Sequence, residues 1–197
     1  MTSSESSPAE QLRGKAWEAA LHAHGTAAIF GRRARQYQAR LNVLAFLGLA
    51  PIVAVGGVAL AGVSDLKWFV LIVGLLAVPV TVWSLWSLID GWSGKLAAAT
   101  QSQTTNLQIQ DEYEALGERP PADITELERR FDLIAARDQS QRGRDLDQHV
   151  SQAEKRFGMR AALRQRQKEC VSCNFIPRDM KPTDCGVCGD FPKRWQR

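Results

Sequence analysis

Four cysteines carry the most specific chemistry in this chain. They form two pairs, Cys170-Val-Ser-Cys173 and Cys185-Gly-Val-Cys188, with eleven residues between them. A CxxC pair places two thiolates on one knuckle, and two knuckles together supply a tetrahedral set of four sulfurs. Structural zinc is the expected occupant; an iron–sulfur cluster or redox-active dithiols are the alternatives. Four sulfurs fill the coordination sphere and leave no position for a reactive water, which argues against a catalytic metal. All cysteines of the chain lie in this one segment. That grouping points to metal binding in a reducing compartment, not to a distributed disulfide framework. Gly186 and Gly189 suit a turn that aims backbone N–H groups at sulfur, while Pro177, Pro182 and Pro192 stiffen the connections. Trp195 is placed to pack on this ribbon-like tail.

No second constellation stands out. His22, His24 and His149 are scattered, and residues two apart do not share a helical face. There is no Ser/His/Asp set, phosphate loop or paired-carboxylate site, so the reading is non-enzymatic. Charges between residues 90 and 169 nearly balance, which gives no strong nucleic-acid footprint. Arg156, Arg160, Arg164, Arg166 and Lys168 make one local basic face. A solvated surface is the default reading of such a face, and phosphate contact the second.

The rest of the chain is organised around residues 41–89, almost wholly apolar, whose only charges before Asp90 are Asp65 and Lys67. Residues 41–63 and 66–89 each exceed the roughly 20 residues a helix needs to cross a hydrocarbon core. They predict a two-helix transmembrane hairpin, since backbone groups in lipid must bond internally. Tyr37, Trp68, Trp83, Trp86 and Trp92 flank the two runs, where amphipathic rings favour the headgroup level. Ala50, Ala54, Gly57 and Ala61 set small side chains along one face of the first run, a surface for close helix packing in lipid. Arg32, Arg33, Arg35 and Arg40 precede it. They mark the cytoplasmic side as topology determinants, with contact to anionic headgroups as an alternative role. A tight turn returns the chain to that side, so both termini are expected in the cytoplasm. No titratable residue lies deep in either run, so a proton relay is not indicated. Conductance would need an oligomer lined by Asn42, Thr81, Ser84, Ser87 or backbone.

The flanks are polar, and for that reason the mean hydropathy of the whole chain is only −0.23 despite 45% hydrophobic residues. Residues 1–8 are Ser-rich and predict disorder; they contain no apolar segment of a cleavable signal, so the first run would act as an uncleaved anchor. Residues 9–40 predict a helix, weakened or broken at Gly25 and Gly31. Residues 90–168 predict cytosolic helices. One runs from a cap near Ser93 to Gly117. A second comes after the turn at Pro120-Pro121, with Asp123 and Glu126 as a capping pair and Ile124, Leu127, Phe131 and Ile134 as its apolar stripe. Gly143 marks a break, after which Leu146, Val150, Ala153, Phe157 and Ala161 form another stripe. Residues 169–197 are the four-cysteine module. The fold class is mainly α: a membrane hairpin, long cytosolic helices and a small zinc-ribbon-like tail.

These residues carry two resemblances. Trp17, the stretch Gly25-Thr-Ala-Ala-Ile-Phe30, the basic run to Arg40, two close spans with Pro51 and a helix through Ser93-Gly94-Lys95-Leu96 resemble the SLATT domain. That domain is a two-span membrane module of bacterial conflict systems. The cysteine tail resembles the mobilome CxxCx(11)CxxC proteins, and its spacing agrees. The resemblance implies a bacterial inner-membrane effector that forms homo-oligomers and perforates the membrane, in defence against phage or invasive DNA. It further implies a partner that produces or senses a nucleotide signal, and it carries over no catalytic residues. The alternatives are an anchored adaptor whose ribbon binds a protein or nucleic acid, and a thiol-redox sensor.

Overall fold

The computed structural model describes residues 7–60 and 66–195, except for the side chains at 51, 52, 54–60, 66, 67, 69, 70 and 76. The described residues form five α-helices and no strand: α1 (Pro8–Leu60), α2 (Leu66–Ile89), α3 (Trp92–Glu118), α4 (Ile124–Leu146) and α5 (Gln152–Arg166). A short 3-10 turn, Lys193–Trp195, lies beyond the cysteine segment. They divide into two units. One joins the chain up to Arg32 with the chain from Thr100 onward, and the other is Arg33–Ala99.

In the first unit the start of α1 is the central rod. A capping exchange opens it: the Glu10 N–H donates to Ser7 Oγ while the Ser7 N–H donates to Glu10 Oε2, satisfying two donors that a helix start leaves free. One face presents Ala16, Ala20 and Ala23 to Ile109 and Tyr113 of α3, with Phe131 and Ile134 of α4 packed alongside. Alanines keep the backbones close, and the Tyr113 and Phe131 rings, 5.7 Å apart, fill the space beyond. Another face presents Leu21 to Ala162 and Leu163 of α5 and to Cys170 and Cys188.

The break anticipated at Gly25 and Gly31 does not occur, because α1 runs through both. These glycines serve packing. A Cβ on Gly25 would lie 3.0 Å from the Gly158 carbonyl oxygen, and one on Gly158 would lie 2.5 Å from the Gly25 oxygen. The α1–α5 crossing is therefore a backbone-to-backbone contact that only glycine permits. Gly31 likewise receives the side chain of Gln103 from α3.

Between α3 and α4 lies a buried polar layer. Asn106 donates to Asp145 Oδ2 and to the Ser102 carbonyl, both at 2.9 Å; Gln141 donates to Asp145 Oδ1 at 2.7 Å. Gln148 donates to Ser102 Oγ at 3.0 Å. Buried groups so paired avoid a desolvation penalty and set the helix register. Asp123 caps α4 as expected, accepting from the Thr125 and Glu126 N–H groups. Glu126 does not complete the exchange: Arg129 and Arg130 hydrogen-bond its carboxylate and pull it down to about 2. Gly143 does not end α4, which continues to Leu146. The stripe read from Leu146 is corrected too. Leu146 is exposed, Val150 precedes the helix, and α5 starts at a Ser151–Glu154 capping box. Its buried face is Glu154, Phe157, Gly158, Arg160, Ala162 and Leu163.

The second unit contains one segment among the described residues long and apolar enough to cross a membrane, Leu71–Ile89, with mean hydropathy 2.0 and 6% of it buried. The hydroxyls of Thr81 and Ser84 are satisfied within α2, by the carbonyls of Ala77 and Val80. At its end Gly91 adopts φ +65°, a left-handed turn conformation suited to glycine. Asp90 staples this turn, accepting from Trp92 Nε1 and Lys95 Nζ, both at 2.7 Å. Trp83 packs edge-on against Trp92, and the Arg40 guanidinium lies 5.6 Å from the Trp92 ring and 5.7 Å from the Tyr37 ring. Trp68 and Trp86 are exposed. Of the small-residue face, Ala50 is half-buried; Ala61 and the side chains of Ala54 and Gly57 lie outside the described residues.

Candidate metal centre

The C-terminus of α5 delivers the first knuckle. Gln167 takes a left-handed conformation (φ 50°), and the Lys168 N–H returns to the Leu163 carbonyl, closing the helix. Cys170 then donates its N–H to the Phe175 carbonyl, and Asn174, at φ 52°, donates to the Cys170 carbonyl. The Phe175 N–H points at Cys173 sulfur. The second knuckle has matching logic: the N–H groups of Gly189 and Asp190 donate to the Cys185 carbonyl. Those of Cys188 and Val187 donate to Cys185 sulfur and bring its thiol down to about 6. Gly189 is required there, since a Cβ would fall 1.9 Å from Thr183 Oγ1. Gly186 is not; a Cβ at that position meets nothing within 4 Å.

All four sulfurs lie within 4.8 Å of one another. Cys170 and Cys185 sulfurs are 3.9 Å apart, and those of Cys173 and Cys188 are 3.8 Å apart. These distances exceed a disulfide bond, and all four cysteines are free thiols. A tetrahedron with metal–sulfur bonds of about 2.3 Å has edges of roughly 3.8 Å, so the donor set fits a single metal ion. Cys170 and Cys188 are buried, Cys185 is half-buried and Cys173 exposed. Burial pushes the Cys188 thiol up, opposite to Cys185. A bound cation is what lets four adjacent sulfurs ionise together, with release of their protons.

Two members of the basic face of α5, Arg156 and Arg160, hold this module. Arg160 is 2% exposed; its Nε donates to the Asp179 carbonyl at 2.9 Å and its guanidinium reaches Asp179 Oδ1 and the Cys188 carbonyl. Arg156 donates to the Gly186 carbonyl at 2.8 Å and binds Asp190. Arg166 pairs with Glu114 of α3 and lies 4.9 Å from the Trp17 ring. Arg164 and Lys168 are exposed. Nothing in the spacing of these arginines separates a structural role from a solvated one; only the carbonyls of the cysteine segment do.

Trp195 packs on the tail as expected, stacked on Phe191 and edge-on to Phe157. Arg32 is buried in the first unit with its guanidinium 3.7 Å from the Trp195 ring centroid. Arg35 and Arg40 are exposed and Arg33 half-buried.

A helical protein with a four-cysteine cluster spaced to hold a metal ion is the class these features define. Residues 13–191 match the mobilome CxxCx(11)CxxC protein family, and the chain belongs to it. The match takes in the helices as well as the cysteines. No curated protein and no solved structure matches the chain.

Proposed function

We propose that this chain is a non-enzymatic membrane effector of the bacterial inner membrane. Residues 41–63 and 66–89 form a two-span hairpin, both termini are cytoplasmic, and oligomers of the hairpin perturb or perforate the bilayer in mobile-element conflict. The observation that carries the reading is the uncovered apolar surface. Phe46, Leu49, Val53, Leu75, Leu88 and Ile89 are each more than half exposed, an arrangement unfavourable in water and suited to lipid. Arg40, before the apolar stretch, meets Trp92, after it. That contact supports a hairpin whose two ends share one membrane surface. The SLATT-like layout supports oligomer formation and a nucleotide-signalling partner. The metal is zinc: the short sulfur–sulfur distances favour one tetrahedral ion over a multi-iron cluster, whose ligands bind different irons.

The test is dye release from liposomes carrying the purified protein, beside a variant with all four cysteines changed to serine. Release by the intact protein is expected, and its dependence on the cysteines reports whether the module is needed. No release, with insertion verified and a candidate nucleotide signal supplied, favours an anchored adaptor. That second reading has its own support in the first knuckle, where Val171 is 89% and Phe175 52% exposed, an apolar tip open to a partner.

A further inference from the structure

We propose that metal occupancy of the cysteine module is energetically linked to the seating of Arg32, through the ring of Trp195. The inference rests on the metal reading above and adds a coupling between the module and α1.

The linkage is a short covalent and packed path. Directly after Cys188 come Gly189 and Asp190, whose N–H groups bind the Cys185 carbonyl. Asp190 is held by Arg156 of α5. Phe191, buried, packs edge-on against Phe157 at 5.6 Å. One 3-10 turn later, Trp195 stacks on Phe191 and meets Phe157 at 6.0 Å. Arg32 closes the cluster, 3.7 Å from the Trp195 ring centroid and 5.7 Å from that of Phe157. Arg32 is 8% exposed. A buried guanidinium needs such partners, because a charge without compensation is costly to desolvate.

The segment from Gly189 to Trp195 has little regular structure of its own. Its position is set at one end by the knuckle and at the other by the rings. A metal ion held by all four sulfurs ties Cys185 and Cys188 to the first knuckle, so its loss removes that cross-link and loosens the knuckle end. The ring end then loses its tether, and Trp195 leaves Arg32. Linkage is reciprocal: whatever unseats Trp195 weakens metal binding by the same factor. Arg32 therefore reads metal occupancy on α1, the helix that runs on to Leu60.

The experiment uses the full chain in detergent, with zinc titrated against a chromophoric chelator. Wild type binds one equivalent. Arg32→Ala and Trp195→Ala each weaken zinc about tenfold, the scale of a desolvated cation–ring contact, and the double variant loses no more than either single one. Arg164→Ala, an exposed α5 arginine, is unchanged. Affinities within twofold of wild type in both single variants overturn the coupling while leaving the metal reading intact. Failure of wild type to bind zinc overturns both. Hydrogen exchange on the unmodified chain guards against variants that do not fold. Zinc removal is expected to speed exchange at residues 27–32 while residues 109–118 of α3 and 128–134 of α4 stay protected. No change at residues 27–32 overturns the coupling, and so does equal loss of protection in α3 and α4, which is general unfolding.

Discussion

At the scale of single residues, the cysteine spacing was legible because metal coordination demands four donors at fixed distances, and sequence spacing encodes them directly. The partners of those cysteines were not legible. Arg160 sits five residues after Lys155 in a run of basic side chains, and only the fold brings the Asp179 and Cys188 carbonyls to it. Replacing Arg160 with Met is expected to destabilise the module by about 2–3 kcal/mol, since two carbonyls lose a charged donor; metal retention after dialysis measures it. His24 offers a second test. Its Nδ1–H donates to Gln110 Oε1 at 2.8 Å, the orientation of that amide being set by its other end on Glu114. Burial holds His24 below its ordinary value of 6.5, against the hydrogen bond it donates to Gln110 and with Arg166 adding to the depression. The unfolded chain therefore binds the proton more readily than the folded one, and stability falls as pH drops below 6.5. Wild type should lose more melting temperature between pH 7.5 and 5.5 than His24→Gln. Metal loss at low pH is common to both proteins, so the difference isolates His24; equal losses would remove it from the account.

At the scale of elements, helix positions were legible wherever a cap or proline punctuates the chain. Asp123 caps α4 and the second apolar run became α2 with the boundaries its composition dictates. Glycines misled, because a glycine in sequence does not announce whether it breaks a helix or admits a neighbour. Gly25 and Gly158 admit one another, whereas Gly143 has nothing within 4 Å of its missing Cβ. The two kinds predict opposite signs. Gly158→Ala forces a Cβ to 2.5 Å from the Gly25 carbonyl oxygen and should cost about 2 kcal/mol or more through separation of α1 from α5. Gly143→Ala removes backbone entropy from the unfolded chain and should stabilise by about 0.5–1 kcal/mol. Thermal or denaturant unfolding of the two variants checks both. Should Gly158→Ala prove neutral, the close crossing of α1 and α5 does not hold in solution.

At the scale of the whole molecule, the apolar stretch announced itself through composition, while the grouping of residues 8–32 with everything from Thr100 onward did not. That grouping depends on an alanine face whose pattern is common to many helices, and on contacts about 90 residues apart in sequence. Arg32 bears its consequence most directly. In sequence it heads a run of four basic residues before the first apolar run; in the structure it belongs to the aromatic cluster around Trp195. On the proposed membrane topology, the orientation signal is left to Arg33, Arg35 and Arg40. Charge bias acts through residues close to the ends of a span. Changing these three arginines to glutamine should thus allow a fraction of chains to insert with the termini outside. Arg32→Gln alone should leave orientation unchanged and lower thermal stability instead. Paired reporters at the C-terminus, one active only in the cytoplasm and one only outside it, measure both variants. If Arg32→Gln inverts the chain and the triple variant does not, the orientation argument fails.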